Sequence, residues 1–338
     1  MLNGETPLPQ NGHRRNYMAA ITGEAEAEAE AEAPRVVFVH GSPPFGLPFK
    51  DRLLSRFQLI HMSELPESSH VKVMLCMDHT PVTSQTIYKL PSLECIVASS
   101  AGVDHIDLTT CRLRGIAVAN GSQAFSEDVA DYAVALLMDV LRKISAGDRY
   151  LRSGLWSTKG DYPLGWKLGG KRVGIVGLGN IGSEVAKRLV AFGCAIAYNS
   201  RKKRSSVSFP YYADVCDLAA NSDILVICCA LTSETHHIIN KDVMAALGKE
   251  GVIINVGRGS LINQKELVQF LVEGQIRGAG LDVFENEPIV PIELLELDNV
   301  VLSPHNAVVT PEAFEALQEL AIANLEAFFS NKPLLSPI

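Results

Sequence analysis

The sequence lacks any apolar run of the roughly 18 residues that a membrane-spanning helix requires. It has no charged-then-apolar leader, and its 7 cysteines form no Cys-x-x-Cys pair. It also lacks a broad basic surface, because 30 lysine and arginine residues face 38 acidic residues and the net charge is -8. These absences argue against a membrane protein, a metal or disulfide redox centre, and a nucleic-acid-binding protein. We expect a cytoplasmic protein with buried thiols, no metal and a small-molecule ligand.

The composition is that of an ordinary globular protein. The chain has 338 residues, of which 47% are hydrophobic and 20% are charged, enough for about two domains of ~150 residues each. Residues 1–33 differ, because they hold 6 glutamates against 2 arginines and include a Glu-Ala repeat with no apolar stripe that could pack on a core. We predict that residues 1–33 form a disordered acidic tail.

Strand-like apolar runs alternate with helical segments through the rest of the chain, in two series. The strands predicted for the first series are Arg35–His40, Val71–Cys76, Cys95–Ala98 and Gly115–Ala119, with a predicted helical stretch at Lys50–Leu59. The strands predicted for the second series are Val173–Val176, Ala195–Tyr198, Ile224–Cys229, Val252–Val256, Ala279–Val283 and Val300–Leu302. This alternation predicts an α/β fold with two Rossmann-like domains, each a parallel sheet with helices on both faces.

Two predicted helices set the domain boundaries. The helix expected from Ser126 to about Ile144 is nearly apolar all round, which is typical of a helix buried between layers or subunits. The helix expected over 313–329 has no strand after it, so we expect it to return to the first domain. The prediction is a discontinuous substrate domain of residues 34–124 and 309–338, a dinucleotide-binding domain of residues 125–308, and a homodimer.

A glycine-rich turn marks the expected cofactor site. Gly177-Leu178-Gly179-Asn180-Ile181-Gly182 follows a predicted strand and opens a predicted helix, the setting of a dinucleotide fingerprint. Gly177 permits the tight turn, Gly179 lets backbone N–H groups approach a pyrophosphate, and Gly182 lets helix and strand pack closely. We expect this turn, with Asn180 and Ile181, to bind the cofactor.

The end of the next predicted strand bears on cofactor choice. NAD-selective proteins place an acid there, about 20 residues on, to hold the ribose 2'-hydroxyl. This chain has Asn199-Ser200-Arg201-Lys202-Lys203-Arg204 instead. A hydroxyl followed by cations suits a 2'-phosphate, so Ser200, Arg201 and Lys202 favour NADP(H) over NAD(H). The alternative is a solvated basic loop or a targeting patch.

Three reactive side chains follow strand-like runs in the second half of the chain. Arg258, Glu287 and His305 each lie a few residues past such a run. Because parallel sheets gather ligands at the carboxyl ends of their strands, we expect the three groups to converge. They supply a carboxylate anchor, a proton donor and an anion that tunes the donor, which the redox chemistry of a 2-oxo or 2-hydroxy acid needs.

From about residue 35 to its end, the sequence resembles the D-isomer-specific 2-hydroxyacid dehydrogenase family. The matching stretches are Ser100–Asp107, Glu127–Asp131, Val173–Gly182, Asn255–Gly259, Gly280–Pro288 and Ser303–His305. Within the family, Ser-Arg after the second strand is most similar to plant glyoxylate/hydroxypyruvate reductases and hydroxyphenylpyruvate reductases.

The resemblance implies NADPH-dependent reduction of a small 2-oxo acid, such as hydroxypyruvate or glyoxylate, to the D-2-hydroxy acid. It implies that Arg258 holds the substrate carboxylate, that His305 protonates the 2-oxo oxygen, and that Glu287 orients His305 and favours its protonated form. The further residues that it assigns are Ala101 and Gly102 to the substrate carboxylate, Val256 and Asp282 to the cofactor, and Trp156 to the substrate site of a partner subunit. Interface packing is an equal alternative for Trp156.

Two departures and two alternative functions accompany the resemblance. Ala307 stands where the family usually has glycine, and Ala230 where proline is frequent; the Ala307 methyl group weakens the expectation of activity on bulky substrates. Residues from His40 to Pro48 are expected to set pocket size. One alternative is a hydroxyphenylpyruvate reductase, and the other is a dinucleotide-sensing interaction protein similar to corepressors on this fold.

Overall fold

The computed structural model describes residues 36–41, 49–61, 70–121 and 123–338. The predicted acidic tail, residues 1–33, lies outside the described residues, and so do residues 42–48 of the segment expected to set pocket size. Val36–Ile338 belong to one compact unit.

The amino-terminal half of the described chain forms a parallel sheet of five strands. These strands are β1 (Val36–His40), β2 (Gln58–His61), β3 (Val73–Cys76), β4 (Cys95–Ala98) and β5 (Ala117–Ala119), in the order β2-β1-β3-β4-β5. The helices between them are α1 (Phe49–Leu54), α2 (Ser84–Tyr88) and α3 (Leu108–Arg114). All four residues of β3 and of β4 are buried, as expected for strands covered on both faces.

The second sheet, within 172–302, has six parallel strands. They are β6 (Arg172–Val176), β7 (Ala195–Asn199), β8 (Ile224–Ile227), β9 (Val252–Asn255), β10 (Gly278–Leu281) and β11 (Val300–Leu302), in the order β11-β10-β9-β8-β6-β7. The helices are α4 (Ser126–Arg142), α5 (Ile144–Arg152), α6 (Leu155–Lys159), α7 (Asn180–Ala191), α8 (Val215–Ala220), α9 (Lys241–Leu247), α10 (Gln264–Val272), α11 (Ile292–Leu295) and α12 (Pro311–Phe329). The predicted fold class, with two Rossmann-like parallel sheets, is confirmed.

Helices α4 and α12 connect the two halves. Glycines at 278 and 280 of β10 leave room for α4, since a Cβ at either position would lie 3.1 Å from Val140 or Leu136. Helix α12 carries Ala321, Ile322 and Leu325 onto the core of the first sheet. The last helix thus returns to the first sheet. The residue boundaries of the two domains stay a prediction.

One local prediction was wrong. The helical stretch expected over Lys50–Leu59 ends at Leu54, and Gln58–His61 forms strand β2. This strand pairs in parallel with β1, Val36 opposite Gln58 and Val39 opposite His61. It is four residues long and lies at the sheet edge, so its own sequence carries little periodicity and the pairing partner decides its structure.

No helix among the described residues is long and apolar enough to cross a membrane.

The order of the strands reverses once in each sheet. In the first sheet the chain moves from β1 to β2 on one side and then to β3 on the other, and in the second sheet the same happens at β6, between β7 and β8. Ligands of open parallel sheets bind outside the carboxyl ends of the strands at such switch points. The loops that follow β1, β3, β6 and β8 are therefore where a site is expected.

Candidate active site

The glycine-rich turn lies at the switch point of the second sheet, between β6 and α7. Gly177 has φ +98°, and a Cβ there would lie 2.5 Å from the backbone of Cys229, after β8. A Cβ on Gly182 would lie 2.2 Å from the Gly177 carbonyl oxygen, whereas one on Gly179 would face open space. Helix α7 begins at Asn180, so its N–H groups and positive dipole end point at that space. A cofactor pyrophosphate fits this cradle, and Ile181 lies in the first turn of the helix.

The basic loop after β7 contacts the glycine turn through a residue that the prediction did not include. Arg204 Nη1 donates to the carbonyl of Leu178 and to Ser183 Oγ (3.2 Å), and its backbone N–H donates to the buried Tyr198 hydroxyl (2.8 Å). Ser200 Oγ donates to the Lys202 carbonyl (2.7 Å). Arg201 and Lys202 are exposed. The loop therefore presents cations next to the cradle, with Arg204 held in place.

Arg258 follows β9 and reaches across to the loop after β4. Its Nε donates to Asp104 Oδ1 (3.1 Å), and its Nη1 donates to the Gly257 carbonyl (3.0 Å). Its Nη2 lies against Gly102, where a Cβ would come within 2.1 Å of it. Only glycine at position 102 leaves this guanidinium in place beside the backbone. Arg258 thus lies beside the Gly102 backbone, and the expected binding of a substrate carboxylate by Arg258 with Ala101 and Gly102 stays a prediction.

His305 and Glu287 form a hydrogen-bonded pair. His305 Nδ1 lies 2.8 Å from Glu287 Oε2, and Glu287 Oε1 accepts from the backbone N–H of Phe284 (3.0 Å). Burial by itself raises the pKa of Glu287, but the bonds from His305 and Phe284 outweigh it and the pKa lies below its ordinary value. Glu287 is therefore an anion at neutral pH. The peptide bond between Glu287 and Pro288 is cis.

Asp282 fixes the loop that carries His305. Its carboxylate accepts from Ser303 Oγ (2.5 Å) and from the backbone N–H groups of Asn306 (2.7 Å) and Ala307 (3.0 Å). Burial raises the pKa of Asp282, and these donors only partly offset it. His305 has φ +55°, a backbone conformation that non-glycine residues adopt when their surroundings hold them there. The three hydrogen bonds to Asp282 keep the loop, and with it His305, in this conformation. The expected contact of Asp282 with the cofactor stays a prediction.

A cavity of about 280 Å³ joins these groups. Arg258 and His305 line it together with Ala101, and His79 lies beside them on the loop after β3. Apolar residues also line it, namely Phe125, Val308, Val309, Phe314 and Leu317. The cavity thus combines a guanidinium and an imidazole with apolar surface, as sites for small ligands do.

The remaining predicted residues differ in where they lie. Val256 is buried, 7% exposed, at the end of β9. Ala307 is also buried, 4% exposed, and its methyl group packs into the core rather than onto the surface. Trp156 is 61% exposed on α6 and is not among the described residues that line the cavity. Its expected contact with a partner subunit stays a prediction.

Sequence reasoning missed three site residues, Asp104, His79 and Arg204. Asp104 and His79 follow β4 and β3, so the rule that reactive groups gather after strands, applied to the first sheet as well, would have found both. Arg204 is the last cation of the basic run, and only the fold of the loop shows that it turns back to Leu178.

A second histidine and carboxylate pair lies near the site. His237 Nε2 is 2.5 Å from Glu285 Oε1. This hydrogen bond joins the loop after β8 to the loop after β10. His236 stacks on His237, and the three side chains bring one ligand atom each within 4.8 Å of one another, close enough to hold a metal ion. The existing hydrogen bond already gives the pair a structural role.

Comparison with known proteins shows a family match and similar sequences. Residues 134–307 match the family model described as D-isomer specific 2-hydroxyacid dehydrogenase, NAD binding domain. A glyoxylate/hydroxypyruvate reductase of Arabidopsis thaliana is 54% identical over 316 residues, 90% of this chain and 97% of the relative. A hydroxyphenylpyruvate reductase of Plectranthus scutellarioides is 47% identical over 272 residues, 80% of this chain and 87% of the relative.

A solved structure extends the likeness to the fold. The NADPH-dependent glyoxylate/hydroxypyruvate reductase of Sinorhizobium meliloti, in complex with NADP and malonate, superposes with a TM-score of 0.82 at 36% identity, over 90% of this chain and 96% of that one. With the family model matched over half of its length and relatives matched along nearly all of it, this chain belongs to the D-isomer-specific 2-hydroxyacid dehydrogenase family.

Proposed function

We propose that this protein uses NADPH to reduce a small 2-oxo acid to the D-2-hydroxy acid, with hydroxypyruvate and glyoxylate as favoured substrates. The observation that carries the proposal is that Arg258 and His305 line one cavity and that His305 is hydrogen-bonded to Glu287. The relatives support the choice of substrate, since a protein named as a glyoxylate/hydroxypyruvate reductase shares 54% identity over 90% of this chain.

On this proposal, one group of residues binds the substrate and another transfers the proton. The Arg258 guanidinium and the backbone N–H groups at Ala101 and Gly102 hold the substrate carboxylate, which fixes the 2-oxo group beside His305. Because Nδ1 of His305 is bonded to Glu287, Nε2 is the nitrogen that gives its proton to the 2-oxo oxygen. A bound nicotinamide cofactor supplies the hydride. Glu287 stabilises the protonated imidazole before transfer.

The preference for NADPH over NADH rests on the loop after β7. No acid directly follows the strand, and Ser200, Arg201 and Lys202 supply a hydroxyl group and two cations in its place, which suits a 2'-phosphate. Arg204 adds a further cation that is fixed beside the glycine turn. NAD(H) remains usable on this proposal, with lower affinity. A 36% identical protein of known structure is described as NADPH-dependent.

We also propose a homodimer that forms along the segment after α4. Large apolar side chains lie exposed there, Ile144 at 58%, Leu151 at 56%, Trp156 at 61% and Leu164 at 91%. Exposed apolar residues that lie close along a chain mark contact surfaces. Location in the cytoplasm stays a prediction from the cysteine pattern.

The deciding experiment follows NADPH, and separately NADH, as it is consumed with hydroxypyruvate, glyoxylate and hydroxyphenylpyruvate, with His305→Ala beside the wild type. We expect turnover that prefers NADPH and is lost in the variant. Faster turnover with NADH would contradict the cofactor assignment. Binding of NADPH without turnover of any 2-oxo acid would contradict the reductase and favour the dinucleotide-sensing protein.

The apolar residues that line the cavity support a second candidate substrate, hydroxyphenylpyruvate. Phe125, Phe314 and Leu317 offer apolar surface on which an aromatic side chain can pack. A 47% identical relative is named as a hydroxyphenylpyruvate reductase. In the same assay, a higher kcat/KM for hydroxyphenylpyruvate than for hydroxypyruvate would select this function.

A further inference from the structure

His79 occupies the switch point of the first sheet, facing the reactive groups of the second. It follows β3, next to the loop after β1, where a Cβ on Gly41 would lie 2.1 Å from the Asp78 side chain. Gly41 and Asp78 are therefore in close contact, and His79, the residue after Asp78, lines the cavity together with Arg258 and His305.

The contacts of His79 join both groups that anchor the substrate. Its Nε2 lies 3.4 Å from Arg258 Nη2, and its ring centre lies 5.9 Å from that of His305. Arginine has no acceptor, so a hydrogen bond here requires His79 to accept at Nε2 and to carry its hydrogen on Nδ1. Burial, with Arg258 and His305 nearby, lowers the pKa of His79, which agrees with a neutral ring.

A bound 2-oxo acid leaves one position for His79 to contact. With the carboxylate on Arg258 and the 2-oxo oxygen on His305, as the proposed function has it, the third carbon and its substituents are the part of the substrate that is left for His79 to contact. Ser99, Ser100 and Gln318 are polar residues that line the same cavity. His79 differs from them in that its contacts with Arg258 and His305 place it beside both anchors.

We propose that His79 selects the substrate by hydrogen-bonding a hydroxyl group on the third carbon through its imidazole N–H. This inference rests on the proposed function and adds to it a preference for 3-hydroxy-2-oxo acids over their 3-deoxy counterparts. A site built to pair with a hydroxyl group discriminates against a substrate that lacks it, because its own polar group is then left without a partner.

The test compares three substrates that differ only at the third carbon. Hydroxypyruvate has a hydroxymethyl group there, pyruvate a methyl group, and glyoxylate has no third carbon. We expect His79→Leu to lower the ratio of kcat/KM for hydroxypyruvate to that for pyruvate by roughly tenfold, the loss of one hydrogen bond. His79→Gln, which can still donate, should recover most of the ratio.

A matched control and a fold check complete the design. His70 is an exposed histidine before the amino end of β3, at the opposite end of the strand, so His70→Leu should leave the ratio as in the wild type. Thermal unfolding followed by circular dichroism identifies any variant that is misfolded. If His79→Leu is misfolded, His79→Phe, which keeps an aromatic ring without an N–H, provides the measurement.

Three results would overturn the proposal. An unchanged ratio in His79→Leu would show that His79 does not contact the third carbon. An equal loss with glyoxylate, pyruvate and hydroxypyruvate would show that it acts only on Arg258 or His305. Wild-type protein that turns over none of the three would refute the proposed function itself and this inference with it, a result seen before any variant is made.

Discussion

Replacing Glu287 by glutamine tests how the site keeps His305 able to donate a proton. Glu287 Oε1 accepts from the Phe284 N–H (3.0 Å), and Oε2 lies 2.8 Å from His305 Nδ1. Glutamine has one oxygen, which must stay on the Phe284 N–H because its NH₂ group would meet another donor there. The NH₂ group then faces Nδ1 and can only donate to it. A protonated imidazole carries hydrogen on both nitrogens, so the variant disfavours that form.

The size of the effect follows from the exposure of the pair. A hydrogen bond between charged groups contributes about 1.5–3 kcal/mol. The side chains are 31% exposed for His305 and 35% for Glu287, so solvent screening favours the lower end. One pH unit corresponds to about 1.4 kcal/mol. Reduction needs the protonated ring, so its rate falls at high pH, and in Glu287→Gln we expect this fall about one pH unit lower.

The assay is kcat/KM for hydroxypyruvate reduction as a function of pH. Because the pKa of Glu287 is lowered, its charge is constant across the basic limb in the wild type. Glu285→Gln is the matched control, since Glu285 pairs with His237 rather than His305, and its profile should follow the wild type. A basic limb that stays in place in Glu287→Gln, or moves to higher pH, would refute the reasoning.

Three further predictions follow from single contacts. In Gly102→Ala the new Cβ would lie 2.1 Å from Arg258 Nη2, so we expect KM for the 2-oxo acid to rise about a hundredfold while NADPH binding, measured by fluorescence titration, is kept; an unchanged KM would contradict the carboxylate site. In Arg204→Ala the bonds to Leu178 and Ser183 are lost, and KM for NADPH in initial-rate assays should rise about tenfold; a rise in KM for the 2-oxo acid instead would contradict the assignment. Burial, and then His79, lower the pKa of His105 to about 4, so the unfolded chain takes up a proton below about pH 6.5 while the folded protein does not. The free energy of unfolding should therefore fall, by at most about 3 kcal/mol, as the pH drops from about 6.5 to about 4; in urea denaturation His105→Leu should show a smaller fall, and an equal one would exclude His105 as its source.

The strands whose bounds the sequence predicted are short apolar runs that lie between turn residues. Cys95–Ala98 and Val300–Leu302 have the predicted bounds, since short apolar runs between turn residues leave few alternatives. Strand Gln58–His61 was missed because its two exposed ends and two half-buried residues resemble the end of a helix. Its pairing with β1 is a contact between distant parts of the chain, which local patterns do not carry.

In the active site too, local sequence patterns predicted some residues, whereas others depend on contacts between distant parts of the chain. Arg258, Glu287 and His305 could be predicted because each follows a strand of one sheet, and the topology of that sheet brings them together. Asp104 and His79 belong to the other sheet, and only the packing of the two halves places them on Arg258. The sequence shows which groups follow strands; it does not show which loops of separate sheets meet.

The charges in the assembled site explain why substrate binding itself favours proton transfer. Two basic side chains are each paired with one carboxylate, Arg258 with Asp104 and His305 with Glu287. Asp104 accepts from the Nε of Arg258, and Gly257 and His79 each accept one hydrogen from an Nη group, so each Nη keeps a second N–H for a substrate carboxylate. That carboxylate brings a third anion into the site, and no further cation enters with it, since His79 is neutral. An added negative charge close to an imidazole favours its protonated form, so the 2-oxo acid strengthens the proton donor that it needs.

An activity that depends on His305 should consequently extend to higher pH in kcat than in kcat/KM, since kcat reports the enzyme with substrate bound and kcat/KM the free enzyme. Coincident basic limbs in the two profiles would contradict this account.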